Sequence, residues 1–208
     1  MRHDNSPAVQ KERSFIEQAR RLQIADAAAE VVAELGYAKT SLARIAEKAG
    51  ISKGVITYHF GSKDEILRLV ATQFFDRCWQ YMEPRILAEE TAIGQVKVWV
   101  GSQLEYFSTH RVEFLAMAEI MTNHRGGDGT LAYAEEIAEE IDGVAEILRR
   151  GQLAGELRQF DPRSVANIIL RSADGVLGSW ATSPTLDLMS QSGVLLDFIE
   201  HAIRKEPS

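Results

Sequence analysis

The chain has 208 residues, of which 45% are hydrophobic and 25% charged, a composition that excludes wholesale disorder. No run approaches the roughly 18 apolar residues of a membrane-spanning helix, and the N-terminus lacks the apolar segment of a secretory signal, so we predict a cytoplasmic protein with no membrane partner. The formal net charge of −7 is unevenly distributed: residues 1–72 carry eleven Lys/Arg and nine Asp/Glu, whereas residues 73–208 carry twelve and twenty-one. DNA could therefore approach only the N-terminal part, although both balances are also typical of ordinary solvated surface.

The sequence predicts helices almost throughout, beginning after a polar N-terminal segment. Residues 1–18 contain Pro7 and predict a flexible arm. Apolar side chains then recur on one helix face over residues 20–35, and Gly36 is placed to end this helix in the left-handed region. Arg20 and Arg21 could add phosphate contacts, with solvated charge as the alternative.

Further helices follow from capping and breaking signals. The pattern Ser62-x-x-Glu65 is a capping box that opens a long fourth helix, which we expect Pro84 to break near Met82. Asp161-Pro162 is a strong helix start. The predicted fold class is all-α, with the remaining helices at about residues 42–49, 53–60, 91–108, 112–122, 130–150, 162–181 and 186–204, and an exposed loop at 123–129.

Residues 42–60 meet the physical requirements of a helix-turn-helix. Ala46 is small where two helices must cross, and Gly50 lies where the turn needs a positive φ. On the second helix of this motif, Ile56 and Phe60 define the inward face. The rest of that helix carries Lys53 at its start, Gly54 and Tyr58 opposite the inward face, and Val55 and Thr57 on the flanks. An ordinary helical hairpin is the alternative.

The same segment resembles the N-terminal signature of the tetracycline-repressor (TetR) family over about residues 20–70. The resemblance implies an N-terminal three-helix DNA-binding domain, joined by a long helix to a larger helical ligand-binding and dimerisation domain. We therefore predict a helix-turn-helix domain at 19–65 and a regulatory and dimerisation domain at 66–208. The matching residues are Gly36-Tyr37, Thr40-Ser41, Ile45-Ala46, Ala49-Gly50-Ile51-Ser52-Lys53-Gly54, Tyr58-His59-Phe60 and Ser62-Lys63-Asp64-Glu65-Ile66-Leu67.

The resemblance also implies which residues contact DNA. Lys53 and Gly54 match positions that approach base edges. Thr57 departs from the tyrosine of many members, although its methyl group can still contact a thymine methyl. His59 lies near the inward side, so a structural histidine is the alternative there. The complete predicted set is Thr40, Ser41, Ser52, Lys53, Gly54, Val55, Thr57, Tyr58, His59 and Lys63, with Thr40, Tyr58, His59 and Lys63 matching positions that hold phosphates.

A second copy of the chain is the predicted protein partner, because one short recognition helix buries too little surface for tight operator binding. One stripe of the 162–181 helix narrows to Ser, Gly and Ser, which permits close approach of a partner helix. The alternative is that these stripes are intrachain core. The predicted interface comprises Ile141, Val144, Leu148, Val165, Ile168, Ser172, Gly175 and Ser179.

A small-molecule effector is the other predicted partner, because aromatic and methionine side chains recur over residues 91–122. Core packing is the alternative for these residues. Gln103 and Glu119 are the polar groups suited to fix a ligand in a mostly apolar pocket, and the acidic body favours neutral or cationic ligands. The predicted lining is Trp99, Gln103, Tyr106, Phe107, Phe114, Met117, Glu119 and Met121.

The sequence lacks the motifs of the common enzyme classes, so no catalytic residue and no cofactor are predicted. The five histidines are too scattered for a metal site, and we expect Cys78 to be a packing residue, with redox sensing as its alternative. The predicted function is a transcriptional repressor that binds a palindromic operator as a homodimer and is released by a small molecule. The alternative is a helical small-molecule carrier or interaction module without operator specificity.

Overall fold

The computed structural model describes residues 7–125, 133–183 and 185–205, with side chains from Phe15 onward. Within these ranges the chain forms helices and no strand, and an isolated antiparallel bridge joins Leu157 and Arg204. The predicted all-α class is confirmed. The helices are α1 (Pro7–Leu35), α2 (Leu42–Lys48), α3 (Lys53–His59), α4 (Lys63–Leu87), α5 (Ala92–Thr109), α6 (Arg111–Asn123), α7 (Ala134–Leu153), α8 (Pro162–Thr182) and α9 (Leu188–Ile203).

The chain divides into two compact units, and the first contains the predicted helix-turn-helix. Unit 1 comprises the described residues within Met1–Phe74 and Val112–Leu131. It therefore includes α1 to α3, the first half of α4, and nearly all of α6. Its core is built from fully buried apolar side chains on each of these helices, among them Ile24, Ile45, Ile56, Ile66 and Ile120.

Unit 2 comprises the described residues within Phe75–Arg111 and Ala132–Ser208. Helix α5 packs against α7 and α9, and α7 packs along α8. The α5–α7 approach requires a glycine, because a Cβ at Gly151 would lie 2.5 Å from Ala92 Cβ. The units divide the chain differently from the predicted boundary at 65/66, since α6 groups with the N-terminal helices; the predicted division of function between the two parts stays a prediction.

Two expectations about helix ends are wrong. Helix α1 begins at Pro7, so the segment predicted as a flexible arm is helical from that residue onward; proline suits a first helical position, and no glycine interrupts the polar helix-forming residues that follow. Helix α4 continues through Pro84 to Leu87. This proline removes one backbone hydrogen bond in the last turn, while burial of Met82 and Ile86 holds the helix on both sides of it.

Most other helix ends follow local signals, although α7, predicted at about 130–150, runs from Ala134 to Leu153. Gly36 and Gly50 have φ of +79° and +66°, as their turns require. Asp161 caps α8 through a 2.8 Å hydrogen bond from Ser164 N. Residues 126–129 of the predicted exposed loop lie outside the described residues; of the other three, Asn123 ends α6 and His124 is buried, so the predicted exposure is wrong at His124. Among the described helices, none is both long and apolar enough to span a bilayer.

Candidate nucleic-acid interface

Short-range hydrogen bonds define the α2–turn–α3 motif. Ser41 caps α2 by accepting a hydrogen bond from Arg44 N, and Ser52 caps α3 by accepting one from Val55 N, both at 3.4 Å. Between the helices, Ile51 N donates to Ala46 O at 3.0 Å, closing the turn at Gly50. The turn is short because glycine takes the left-handed conformation there without steric cost.

Apolar contacts and one arginine fix the orientation of α3. Ile56 and Phe60 are buried, which confirms the predicted inward face. At the C-terminal end of α3, the Arg21 guanidinium donates to His59 O, pairs with Glu65 at 2.9 Å, and lies 4.1 Å from the centre of the Phe60 ring. Arg21 therefore holds the C-terminal end of α3 through contacts within unit 1. The sequence had suggested only a phosphate contact or a solvated charge for this residue.

The outward face of α3 presents residues suited to a DNA groove. Lys53, Gly54, Thr57 and Tyr58 are exposed, and 79% of Tyr58 is accessible. The Thr57 hydroxyl donates to Gly54 O at 3.1 Å, so it is engaged with its own helix. Gly54 offers no side chain, which allows another molecule to approach the helix backbone. Ser41 and Ser52 are also exposed, and Val55 is half-buried.

Three residues of the predicted DNA-contacting set are engaged within the chain. Thr40 is only 4% exposed, and its hydroxyl donates to Gly36 O at 2.9 Å. His59 is half-buried, with its ring 4.9 Å from that of Tyr58 and its Nδ1 buried without a hydrogen-bond partner. Lys63 Nζ lies 4.3 Å from the centre of the Tyr37 ring. We therefore assign the Thr40 side chain to the turn and not to the exposed surface.

The lysine and arginine side chains around the motif differ in whether they are already paired with carboxylates. Lys48 is paired with Glu30 at 2.8 Å and Glu34 at 2.7 Å, and these two carboxylates raise the pKa of its amine. Lys39 and Arg44 are exposed at the start of α2, where Arg44 donates to Lys39 O at 2.8 Å. Neither residue is in the predicted DNA-contacting set, although they lie on either side of the Ser41 cap, and backbone N–H groups at a helix start favour phosphate.

Helix α6 is tied to the end of α1 within unit 1. Glu119 Oε2 accepts a hydrogen bond from Tyr37 N at 3.3 Å. The Tyr37 hydroxyl donates to Asp64 Oδ1 at 3.5 Å, and burial together with Asp64 raises the pKa of this hydroxyl. Glu119, predicted as a ligand contact, thus serves in the described structure as an acceptor for the turn that precedes α2.

The other residues of the predicted effector lining are distributed over both units. In unit 2, Trp99, Tyr106 and Phe107 are buried, and Gln103 is half-buried. In unit 1, Phe114 and Met117 are buried and Met121 is half-buried. Their role in ligand binding stays a prediction.

The predicted dimer residues differ between α7 and α8. Val144 and Leu148, on α7, are fully buried within one chain, and Ile141 is half-buried. On α8, exposed Ile168, Gly175 and Ser179 share one face with half-buried Val165 and Ser172. In the described part of the chain, no cluster of three or more His, Cys, Asp or Glu side chains is arranged to hold a metal ion.

Comparison with known proteins gives consistent matches. Residues 24–70 match the family model described as bacterial regulatory proteins, tetR family. The HTH-type transcriptional regulator BetI of Paraburkholderia xenovorans is 34% identical, over 77% of this chain and 94% of that protein. The HTH-type transcriptional repressor AcnR of Corynebacterium jeikeium is 27% identical, over 89% and 92%. The solved structure of SmeT, the repressor of a Stenotrophomonas maltophilia multidrug efflux pump, superposes with a TM-score of 0.76 at 25% identity, covering 91% of this chain and 93% of that one.

Proposed function

This chain belongs to the TetR family of bacterial transcriptional regulators, which are DNA-binding proteins and not enzymes, and we propose that it is a repressor that binds a palindromic operator as a homodimer. Each copy would place α3 in the major groove, with the two helices about 34–36 Å apart along the duplex. A small molecule bound in the C-terminal helices would release the dimer, to the extent that it binds the released state more tightly.

The observation that carries this proposal is the composition of the outward face of α3. A solvated helix face is usually covered by long charged side chains, whereas this face carries Gly54, Thr57 and a highly exposed Tyr58. Tyrosine exposes a large ring and a hydroxyl that can donate to a phosphate oxygen. Lys53 adds a positive charge at the helix start, where backbone N–H groups also favour phosphate.

The dimer interface that we propose lies on α8 and α9. Exposed Val194 and Phe198 lie one turn apart on α9, and Ile168 is exposed on α8, the helix against which α9 packs. Exposed apolar side chains at helical spacing mark a surface that a partner covers. Because Val144 and Leu148 are already covered within one chain, α9 is a better candidate than α7 for the second helix of this interface.

Selection of bound sequences from a random duplex pool tests operator binding, followed by binding measurements on the best palindrome. Between 50 and 200 mM salt, a dimer that contacts roughly six to ten phosphates loses about 10³–10⁵ in affinity. We expect Lys53→Ala and Tyr58→Ala each to weaken operator binding at least about 10-fold while leaving the fold and the dimer unchanged.

Lys48→Ala is the matched control, because it removes the same charge from the same unit at a residue already paired with Glu30 and Glu34. Its expected effect is less than about 3-fold, since long-range surface electrostatics are screened. Unchanged operator binding in both α3 variants would refute the groove assignment. A carrier without operator specificity would show no preferred sequence at low salt.

Sedimentation of an interface variant tests the dimer. Phe198→Glu places a charge on the proposed interface, and we expect it to produce monomers at micromolar concentration. Leu153→Glu is the control, because Leu153 is at least as exposed as Phe198, 83% against 62%, but lies outside the proposed surface. Monomers in both variants, or in neither, would contradict the α8–α9 interface.

A further inference from the structure

Unit 2 contains a carboxylate whose negative charge is only partly balanced by its neighbours. Glu140 on α7 is half-buried, and its Oε1 accepts a hydrogen bond from Gln103 Nε2 at 2.8 Å. Arg171, whose charge acts on Glu140, is itself paired with Asp174 at 2.7 Å. Burial, as the largest cause, and the negative charge of Asp174 raise the pKa of Glu140, whereas Gln103 and Arg171 act in the opposite direction. The charged form therefore has a hydrogen bond but no ion-pair partner among the described residues.

A buried donor lies beside this carboxylate. Trp99 is 7% exposed, and its indole Nε1 is buried without a hydrogen-bond partner among the described residues. A side-chain hydrogen-bond interaction with the indole lowers the pKa of Glu140, so the Nε1–H lies beside this carboxylate, but in a geometry too poor to count as a formed hydrogen bond. Trp99 lies one turn before Gln103 on α5, and its ring packs on Gly143, where a Cβ would be 2.9 Å from Trp99 Cη2. An unpaired buried N–H is costly and rare, so an acceptor from a ligand would satisfy it.

A second indole links this site to the surface. The ring centroids of Trp79, on α4, and Trp99 are 5.3 Å apart with an interplanar angle of 59°, and Trp79 is 42% exposed. Indole faces attract cations more strongly than other aromatic rings do. Carboxylate, side-chain amide and indole pair all lie within unit 2 and come from three helices. Together they have the chemistry of a site for a positively charged organic group.

We propose that Glu140, Gln103, Trp99 and Trp79 bind a small organic ammonium ion, and that this ion is the effector. The Glu140 carboxylate neutralises the positive charge, Gln103 orients the carboxylate, and the indoles contact the alkyl groups of the ion. Trp99 Nε1 donates to an oxygen acceptor on a ligand that carries one. The identification of the ion as the effector rests on the proposed regulatory function, whereas the binding site itself does not.

Titration calorimetry and tryptophan fluorescence on the full chain test the site directly. The probes are n-butylammonium, tetramethylammonium and benzyltrimethylammonium, compared with uncharged 1-butanol and benzyl alcohol. We expect at least one ammonium ion to bind and change the indole emission, while the alcohols bind at least about 10-fold more weakly. Replacing n-butylammonium by 2-methoxyethylammonium, which has an ether oxygen in place of a methylene, tests the Trp99 donor and should strengthen binding. Weaker or unchanged binding would remove Trp99 Nε1 from the site.

Glu140→Gln is the decisive variant, because glutamine keeps the size and the acceptor oxygen but removes the charge. We expect it to weaken ammonium binding at least about 10-fold. The control is Glu139→Gln, the same change at the preceding, exposed residue of α7, which should leave binding unchanged. Near-ultraviolet circular dichroism of both variants reports whether the tertiary packing is retained. Equal ammonium affinity in the two variants, or binding of none of the three ions by the wild type, would overturn the proposal.

A release assay separates this proposal from the regulatory one. If the chain binds its selected palindrome and an ammonium ion binds in a Glu140-dependent way, addition of that ion should release the DNA. Operator binding without any ammonium binding would refute the site and leave the regulator intact. Glu140-dependent binding in a chain that recognises no palindrome would refute the regulator and leave the site intact. Binding of both without release would refute the role of the ion as effector.

Discussion

Glu65 in unit 1 and Glu140 in unit 2 are both helical glutamates that accept hydrogen bonds, yet their pKa values move in opposite directions. Glu65 is exposed, and hydrogen bonds from Arg21 and Gly61 N lower its pKa. Glu140 lies among side chains from other helices, and burial raises its pKa. Glu65 is thus held in its charged form by partners within unit 1, whereas the charge of Glu140 in unit 2 is still to be matched. This contrast fits a unit that stabilises a fixed surface and a unit that binds a ligand.

The largest expected effect comes from truncating a buried side chain in the core of one unit. This change should destabilise the fold and weaken binding by that unit more than binding by the other. Ile56→Ala removes a fully buried side chain beneath the proposed DNA surface and should cost about 2–5 kcal/mol of unfolding free energy. Leu148→Ala is the matched change in unit 2, with an equally buried side chain. We expect Ile56→Ala to reduce operator affinity more than ammonium affinity, and Leu148→Ala to do the reverse, as measured by denaturation and by binding. The same ranking of losses in both variants would break the distinction between the units.

The tie between α6 and the α1 end should have a smaller effect. Glu119→Ala removes the acceptor of Tyr37 N, and we expect a loss of about 1 kcal/mol in chemical denaturation, because a hydrogen bond at the surface contributes little more. Glu113→Ala, on the same helix, is the control. If operator affinity also rises or falls in Glu119→Ala alone, α6 affects the position of the recognition motif. An unchanged stability would show that this contact does not hold α6 in unit 1.

Glu140→Gln should stabilise the protein by about 1 kcal/mol at neutral and higher pH, since it removes a partly buried charge. The folded state raises the pKa of this carboxyl, so its charge destabilises the fold above the raised pKa. That penalty falls as the pH drops through the raised pKa and is absent below the ordinary pKa. The advantage of the variant over the wild type should therefore shrink as the pH falls. A constant difference between pH 8 and pH 4 would contradict this assignment.

Glu65→Gln should have the smallest effect, a loss of a few tenths of a kcal/mol at neutral pH, because the pair with Arg21 is exposed and screened. The sign is opposite to that of Glu140. The contribution of Glu65 is complete above the ordinary carboxyl pKa and is lost as the pH falls through the lowered one. Thermal unfolding of wild type and variant should therefore converge in acid. Divergence in acid would mean that Arg21 does not hold Glu65 in its charged form.

The helix-turn-helix could be predicted because the residues that define it are close together in the chain. Ser41 and Ser52 cap helices that begin at the next residue, and Gly50 adopts the positive φ that its turn demands. The engagement of Thr40 within the turn was not foreseen, since its hydroxyl bond to Gly36 O depends on how α1 ends. The predicted break at Pro84 does not occur for a similar reason, because burial of its neighbours outweighs the local penalty.

The sequence by itself determined where most helices begin and end, which face of α3 is buried, and that α3 belongs to a helix-turn-helix. These features could be predicted because capping, periodicity and turn chemistry act within a few residues. Only the tertiary structure decided that Arg21 fixes the end of α3, that α6 belongs with unit 1, and that Glu140 lies beside Gln103 and Trp99. These contacts join residues far apart in the chain, and their burial and pairing follow from how helices pack and not from the order of residues in any one of them.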